Sequence, residues 1–479
     1  MEINHSELGF KSGLEIHQQL DTKKLFCNCP SVLRQDTPDF VIERKLHAVA
    51  GESGKVDVAA EYQSKLGKKF YYQGYDSTCL VELDEEPPHQ INPEALDISL
   101  QIAILLNCRI LPITQIMRKT VIDGSNTSGF QRTVLIAVDG YVETTAGRVG
   151  IESVGLEEDA ARIIEREKEK EVYRLDRLGI PLVEITTSPD IKNPEQAKEV
   201  ALHLGDILRS CKVKRGIGTI RQDVNLSIKG GKRIEMKGFQ DIRNLEVAIE
   251  KEVVRQIELV GKGKSVNEVR NVLPDGSSEF LRPMPGAARM YPETDLPLLR
   301  ISRERTNEVK KNLPKLKSVI EEELRKEGLS EEIIKAIFKK GRLEEFRELQ
   351  AITKNPSLTG KVLFVLPKEI ASHEGKKIED VEKRLNKEVL AFVLENYVKK
   401  KISESQIKQV LERIVSGEEI ENAVKFESID LDKVEEFVMK SIKEKPGLNE
   451  NAYMGLVMKE FKGKVSGKEA IEIIKKYLK

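Results

Sequence analysis

The chain has no tryptophan and only five cysteines, and its 79 Lys and Arg are balanced by 79 Asp and Glu. Each shortage removes a class of protein. An odd, small number of cysteines in a chain of 479 residues is no disulfide framework and fits a reducing cytosol. A formal net charge of zero removes the simple electrostatic argument for a nucleic-acid binder, so any RNA contact must come from local basic patches. No run is long and apolar enough to span a membrane. Residues Met1 to Glu7 are polar and acidic, unlike a signal peptide, and the expected location is the cytoplasm. There is no Walker A sequence, kinase signature or full GxGxxG, and Gly216-Ile217-Gly218 is too short to support a nucleotide claim. A nucleophile-elbow serine and a Cys/His hydrolase pattern are also missing, so nothing points to a glutaminase.

Charge of both signs is abundant, at 33% of residues, and with so little Trp and Cys this suits a thermophile. The length allows two or three domains. Up to about Arg300 strands and helices mix without a regular βαβ rhythm, which argues for a largely antiparallel α+β domain. Asn92-Pro93-Glu94 and Asn193-Pro194-Glu195 read as helix starts, each with an N-cap, a proline at the first position and an acidic first turn. After the second, Ala197, Val200, Ala201, Leu204, Ile207, Leu208 and Cys211 fall at helical spacing. Gly261 to Ser265 is a short break after a long helix, and Leu281 to Gly286 a proline-rich loop. From about Ser302 the pattern becomes charged amphipathic helices, with starts at Ser330 and Ser403. A last boundary is expected near Glu427-Ser428. The expected domains are thus 1–300, 301–426 and a tail, 427–479.

The most informative stretch is Gly13-Leu14-Glu15-Ile16-His17-Gln18-Gln19-Leu20. As a strand it sends Leu14 and Ile16 into a core and aims Glu15 and His17 together at a site. Arg221, Asp223, Asn225 and Ser227 share one face of a second strand, with Val224, Leu226 and Ile228 on the other. A turn at Gly230-Gly231 leads to a third strand, where Glu235 and Lys237 oppose Ile234 and Met236. Such a hairpin is also what a solvated antiparallel face looks like. Glu184 interrupts the apolar run Ile180 to Ile185, where a lone buried carboxylate is costly, so it is paired, metal-bound or at a wet edge. Glu157-Glu158-Asp159 reads as a helix start, a solvated loop or a ligand set. His17 alone reads equally as a core histidine.

As chemistry, His17, Glu157 and Glu184 could hold magnesium, with Glu15 and Glu235 as further ligands or as groups that support the ligands from behind. Magnesium prefers oxygen donors and bridges nucleotide phosphates. Arg118, Lys119, Arg221 and Lys237 could neutralise phosphate charge, and Asn225, on the same strand face as Arg221, could contact the nucleotide. Cys27-Asn28-Cys29 resembles half a zinc site, but no second close pair exists and Cys79 stands alone, so zinc is not expected.

Several of these segments together resemble the ATP-dependent subunits of tRNA-dependent amidotransferases, the B and E subunit family. The resemblance runs in order through Gly13 to His17, Ile122 to Thr133, Leu156 to Ala160, Arg174 to Ile185, Arg221 to Lys237 and Ala288 to Asp295. The forms Asp123-Gly124-Ser125-Asn126-Thr127-Ser128-Gly129-Phe130-Gln131 and Met290-Tyr291-Pro292-Glu293-Thr294-Asp295 resemble the archaeal E branch more than the bacterial B branch. The resemblance implies a catalytic cradle similar to glutamine synthetase, followed by a helical domain and a tail that reads tRNA. It implies ATP-dependent phosphorylation of the γ-carboxylate of Glu-tRNA(Gln), then amidation by ammonia from an asparaginase-like D subunit, in a heterotetramer with two copies of each. His17, Glu157 and Glu184 match the family's metal positions. Arg118, Lys119 and Lys237 would stabilise the transferring phosphoryl group, and Ser128 and Gln131 would line the nucleotide or the glutamyl end. The alternatives are a bacterial-type B subunit with A and C partners, or a tRNA-binding scaffold with a dead ATP site. In one respect the chain departs from the E branch. An insertion resembling part of a bacterial aspartyl-tRNA synthetase is usual there, and here only Gly261 to Ser265 occupies its place.

Overall fold

The computed structural model describes residues 4–50, 54–239, 242–284, 289–426, 431–461 and 467–478. The expected boundary at Glu427-Ser428 and the end of the proline-rich loop, Pro285-Gly286, lie outside the described residues. The chain divides into two compact units, Met1–Lys317 and Ser318–Lys479.

The first unit is α+β. Its large sheet contains β1 (Lys11–Gln19), β2 (Ile116–Thr120), β3 (Phe130–Val142), β4 (Val149–Glu158), β5 (Pro181–Thr187), β6 (Ile220–Ser227), β7 (Ile234–Phe239), β8 (Glu268–Val272), β9 (Ser278–Pro283) and β10 (Met290–Pro292). Their order is β9-β8-β7-β6-β1-β5-β4-β3-β2-β10, and Arg109–Ile110 also pairs with β3. Every neighbouring pair is antiparallel except β7 and β8. That one parallel pair needs a long crossover, supplied by helix α3 (Leu245–Gly261). Among the described residues β9 and β10 have only one neighbour each in the sheet, yet Arg282 and Met290 line one cavity. The sheet is therefore strongly curled, with its concave face turned inward. Four further strands, Phe40–Arg44, Lys69–Gly74, Lys170–Arg174 and Arg162–Arg166, form a separate sheet in that order.

The convex face carries the core. Leu14 and Ile16 of β1 join one apolar cluster with Leu96 and Leu100 of helix α1 (Pro93–Leu105) and Val200 and Leu204 of helix α2 (Pro194–Ser210). The stripe on α2 is buried throughout, from Ala197 to Cys211. Asn92 and Asn193 cap as expected: the Asn92 side chain accepts from the Glu94 and Ala95 amides, and that of Asn193 from the Gln196 amide. One face of each central strand is thereby committed to packing, and the other is left free for chemistry.

The helix Arg303–Lys311, expected in the second domain, belongs to the first unit. Val309 joins the first core, and Arg305 Nε lies 2.6 Å from Asp97 Oδ1 of α1. The boundary accordingly falls at Lys317 rather than Arg300.

The described part of the second unit is helical and has two apolar clusters. One runs from Leu324 to Ala423. The other joins Val434, Val438, Tyr453, Val457, Ala470, Ile473 and Ile474 from the helices Leu431–Glu444, Glu450–Glu460 and Gly467–Tyr477. No helix of the described residues is long and apolar enough to cross a membrane.

Candidate active site

β1 lies near the middle of the sheet, and its partners decide what meets His17. On one side Glu184 of β5 pairs with His17, and on the other Arg221 and Asp223 of β6 pair with His17 and Glu15. Residues opposite one another in an antiparallel pair share a face. Glu157, at the end of β4, comes in one strand further out, opposite Leu182 of β5 and Thr133 of β3. The Glu157-Glu158-Asp159 triplet is thus a buried strand end, neither a helix start nor a solvated loop.

The groups are close. His17 Nε2 lies 3.3 Å from Glu15 Oε1, 3.5 Å from Glu184 Oε2 and 3.7 Å from Glu157 Oε1. Lys119 Nζ reaches over from β2, 2.7 Å from Glu157 Oε2 and 3.4 Å from Glu184 Oε2. Lys237 Nζ lies 2.5 Å from Asp223 Oδ2 and 2.6 Å from Glu235 Oε1. Towards the other end of the site, buried Asp159 accepts from Gln19 Nε2 at 2.6 Å and from Arg221 Nη2 at 3.0 Å. These groups line one cavity of about 1250 Å³, larger than the roughly 300–1,000 Å³ of a small-ligand pocket. It has room for a nucleotide and the end of a second substrate.

Burial and charge act against each other here. Burial pulls the His17 imidazolium down, but its hydrogen bond with Glu184 and the charges of Glu157, Glu184 and Glu15 outweigh this and raise its pKa. Burial raises Glu157, and burial followed by the Glu184 charge raises Glu15. Glu184 also suffers burial, yet Lys119 and His17 hold it well below the ordinary carboxylate range. Crowded carboxylates that need a lysine and an imidazolium to stay charged suit a divalent cation, whose charge would serve the same end. The ligand atoms of His17, Glu157 and Glu184 all lie within 4.8 Å of one another, as do those of Glu15, His17 and Asp223. The carboxylate oxygens of this set are the donors magnesium prefers, and His17 would have to be neutral to join them.

Three expected residues are placed elsewhere. Arg118 precedes Lys119 on β2, so alternation sends it to the opposite face. There its guanidinium clamps Glu293, contacts Asp295 at 3.0 Å and stacks 4.5 Å from the Phe130 ring centre. Ser128 lines a different cavity, with Arg44, His47 and Asp84, and its hydroxyl donates to Phe130 O. Asn225 shares the Glu15 face but sits opposite Gly13, outside the cavity lining. Gln131 does line the cavity and donates to Glu158 O at 2.6 Å. Glu235 and Arg221 line it as well. Arg177, Arg282 and Arg289 also line it, and nothing in strand period or spacing points to them. Their only signal is membership of the motifs or of the proline-rich loop.

Cys79 does not stand alone. Its Sγ, those of Cys27 and Cys29 and a Glu82 carboxylate oxygen lie within 4.8 Å of one another. Lys24 Nζ lies 2.7 Å from Glu82 Oε1, and both side chains are buried. Hydrogen bonds from Cys27 and Cys29 pull the Cys79 thiol below its ordinary range. Thiolate sulfur and carboxylate oxygen are both donor types that zinc binds, so the cluster could hold that metal. Sequence reasoning misses it because the half-sites come from turns far apart in the chain.

Residues 10–307 match the family described as the GatB/GatE catalytic domain, which defines the class: a tRNA-dependent amidotransferase catalytic domain. Over full length the chain is 38% identical to a Methanocaldococcus jannaschii protein named as the E subunit of glutamyl-tRNA(Gln) amidotransferase, with 100% of each chain covered. It is 36% identical to the protein of that name from Archaeoglobus fulgidus, covering 100% of this chain and 99% of the relative. A Methanococcus maripaludis protein of the same name is 51% identical over 303 residues, 63% of this chain and 47% of its own. The chain belongs to the archaeal E-subunit family of glutamyl-tRNA(Gln) amidotransferases, which are enzymes of the ligase class. The first alignment runs over 633 positions against the 479 residues here, so that relative carries residues this chain lacks.

Proposed function

We propose that this chain converts Glu-tRNA(Gln) to Gln-tRNA(Gln) in the cytoplasm, using ATP and magnesium. The glutamyl γ-carboxylate attacks the terminal phosphorus of ATP, ADP leaves, and ammonia then displaces phosphate from the acyl phosphate. The observation that carries this reading is the cluster of Glu15, His17, Glu157 and Glu184 with Lys119 inserted among them. Magnesium held by His17, Glu157 and Glu184, with Glu15 and Glu235 in support, would screen the γ-phosphate from the incoming carboxylate. Lys119 and Lys237 are held charged by their carboxylate neighbours and stabilise the phosphoryl oxygens as charge moves onto them. Asp159 fixes Arg221 at the rim, where its remaining donors face the cavity. Ammonia comes from an asparaginase-like D subunit, in a heterotetramer with two copies of each chain. That partner accounts for the lack of any glutaminase signature.

The test is amidation of Glu-tRNA(Gln) with ATP, magnesium and free ammonium, without a partner protein. Product that is lost in His17→Ala supports both chemical steps on this chain. Product only after a D subunit is added means that the partner completes the site. No product in either case supports a tRNA-binding scaffold instead.

A further inference from the structure

Among the described residues, seven Lys and Arg side chains line the cavity, and they fall into two groups. Lys119, Lys237, Arg177 and Arg221 all lie within 4.0 Å of a carboxylate oxygen. Arg233, Arg282 and Arg289 do not: among the described residues none has a carboxylate in ion-pair reach. The guanidinium of Arg233 has only the Met284 thioether, at 3.0 Å from Nη2, and a thioether is a weak acceptor. Arg282 and Arg289 are half-buried. They also repel each other: burial, then the Arg282 charge, lowers the pKa of Arg289.

Holding unpaired cations together against a cavity wall costs free energy. In a site already rich in carboxylates, closer pairing was available. Leaving these three open makes sense where an anion arrives from outside. Their placement says which one. Arg289 lines the same cavity as Glu157, Glu184 and Lys119 and lies within electrostatic reach of them. Arg282 acts on Glu235 at the side of that cluster. Arg233, which leads into β7 two strands in from the β9 edge, lines the cavity and is exposed to solvent. The three mark a path from the reaction centre to solvent, and a chain of linked phosphates would follow it.

We propose that Arg289, Arg282 and Arg233 bind the triphosphate of the nucleotide, with Arg289 nearest the transferred phosphoryl group. This rests on the ATP-dependent reading above and assigns residues to it. Arginine serves here better than lysine because its planar fork can hold two phosphate oxygens at once.

Arg282→Gln and Arg289→Gln, with Arg282→Lys as a charge-retaining control, are assayed for ammonium-driven amidation. The KM for ATP and the KM for Glu-tRNA(Gln) are measured separately. Binding of inorganic tripolyphosphate to the full chain is followed by calorimetry, independently of turnover. Each Gln variant should raise the ATP KM and weaken tripolyphosphate about tenfold or more, with tRNA KM within about twofold and partial recovery in the Lys variant. Unchanged ATP KM and tripolyphosphate affinity in both Gln variants overturn the inference. So does a rise in tRNA KM alone, which would assign the arginines to phosphodiesters of the acceptor end. If wild type gives no ATP-dependent product, yet binds tripolyphosphate and the Gln variants do not, the functional reading fails and the anion site stands.

Discussion

Glu157 and Glu158 are consecutive carboxylates with opposite destinations. Glu157 meets His17 and Lys119 in the cavity, whereas Glu158 turns to the Arg132 guanidinium, 3.5 Å away on the other face. The first lines the candidate site and the second is held in a buried ion pair. His17→Ala or Glu184→Ala should abolish amidation yet leave tRNA binding within about twofold, because neither removes a phosphate contact on the RNA. Turnover near wild type in either variant would sink the metal-site assignment. Behind the sheet, Glu293 is fully buried between Arg118 and Arg132, 2.8 Å from Arg132 Nε. Burial raises its pKa, but the Arg118 hydrogen bond, the Asp295 amide and Arg132 outweigh it, so the net shift is downward from 4.5. A carboxylate depressed in the folded state stabilises above its unfolded pKa and loses that contribution as pH falls through its folded value. Glu293→Gln should therefore cost about 3 kcal/mol at pH 7. The gap from wild type should narrow below pH 4.5. Thermal unfolding of both proteins from neutral to acid pH would show it, and a gap that does not change with pH would refute it.

At the scale of elements, the two-residue period of a strand sorts neighbours into different roles. On β2 it makes Lys119 a cavity residue and Arg118 a clamp on Glu293. On β1 it gives Leu14 and Ile16 to the core and Glu15 and His17 to the site. Turns do a different job. The segment after β1 carries Cys27 and Cys29, and the turn around Cys79 to Glu82 packs against it with Lys24 beneath. Purified protein should hold about one zinc per chain at these four groups. Chelation, or Cys79→Ser, should lower the melting temperature of the first unit by several degrees. Elemental analysis showing no metal, together with melting indifferent to chelator, would exclude the site.

At the scale of the whole molecule, chemistry and the terminal helices belong to separate compact units. The three helices from Leu431 to Tyr477 share a core of their own, in which Tyr453 is buried and donates to Lys445 O, and Phe461 packs edge-on to Phe437. These two aromatics are packing residues rather than an RNA-stacking surface. A truncation at Gly447 would strip partners from the Leu431–Glu444 helix, so a clean deletion begins at Glu427. That deletion should weaken tRNA binding about tenfold through lost phosphate contacts, with a correspondingly shallower salt dependence. It should leave the first unit's melting transition in place. Unchanged affinity would remove the tail from RNA recognition.

Alternation along β1, β6 and β7, the capped starts at Asn92 and Asn193, and the stripe on α2 were legible in the sequence, because period and capping are local properties. Strand period also picked out His17 and Glu184 as polar groups on otherwise apolar strands, whereas Glu157 was singled out through its motif. What the sequence could not show is which strands are neighbours. Sheet order decided that Lys119 reaches Glu157 and Glu184, that Ser128 and Asn225 fall outside the cavity, and that residues from β9 and the start of β10 line one wall. Packing between distant turns likewise decided that Cys79 joins Cys27 and Cys29. Proximity between residues far apart in the chain is set by the pairing and curl of the whole sheet, and only the tertiary structure contains it.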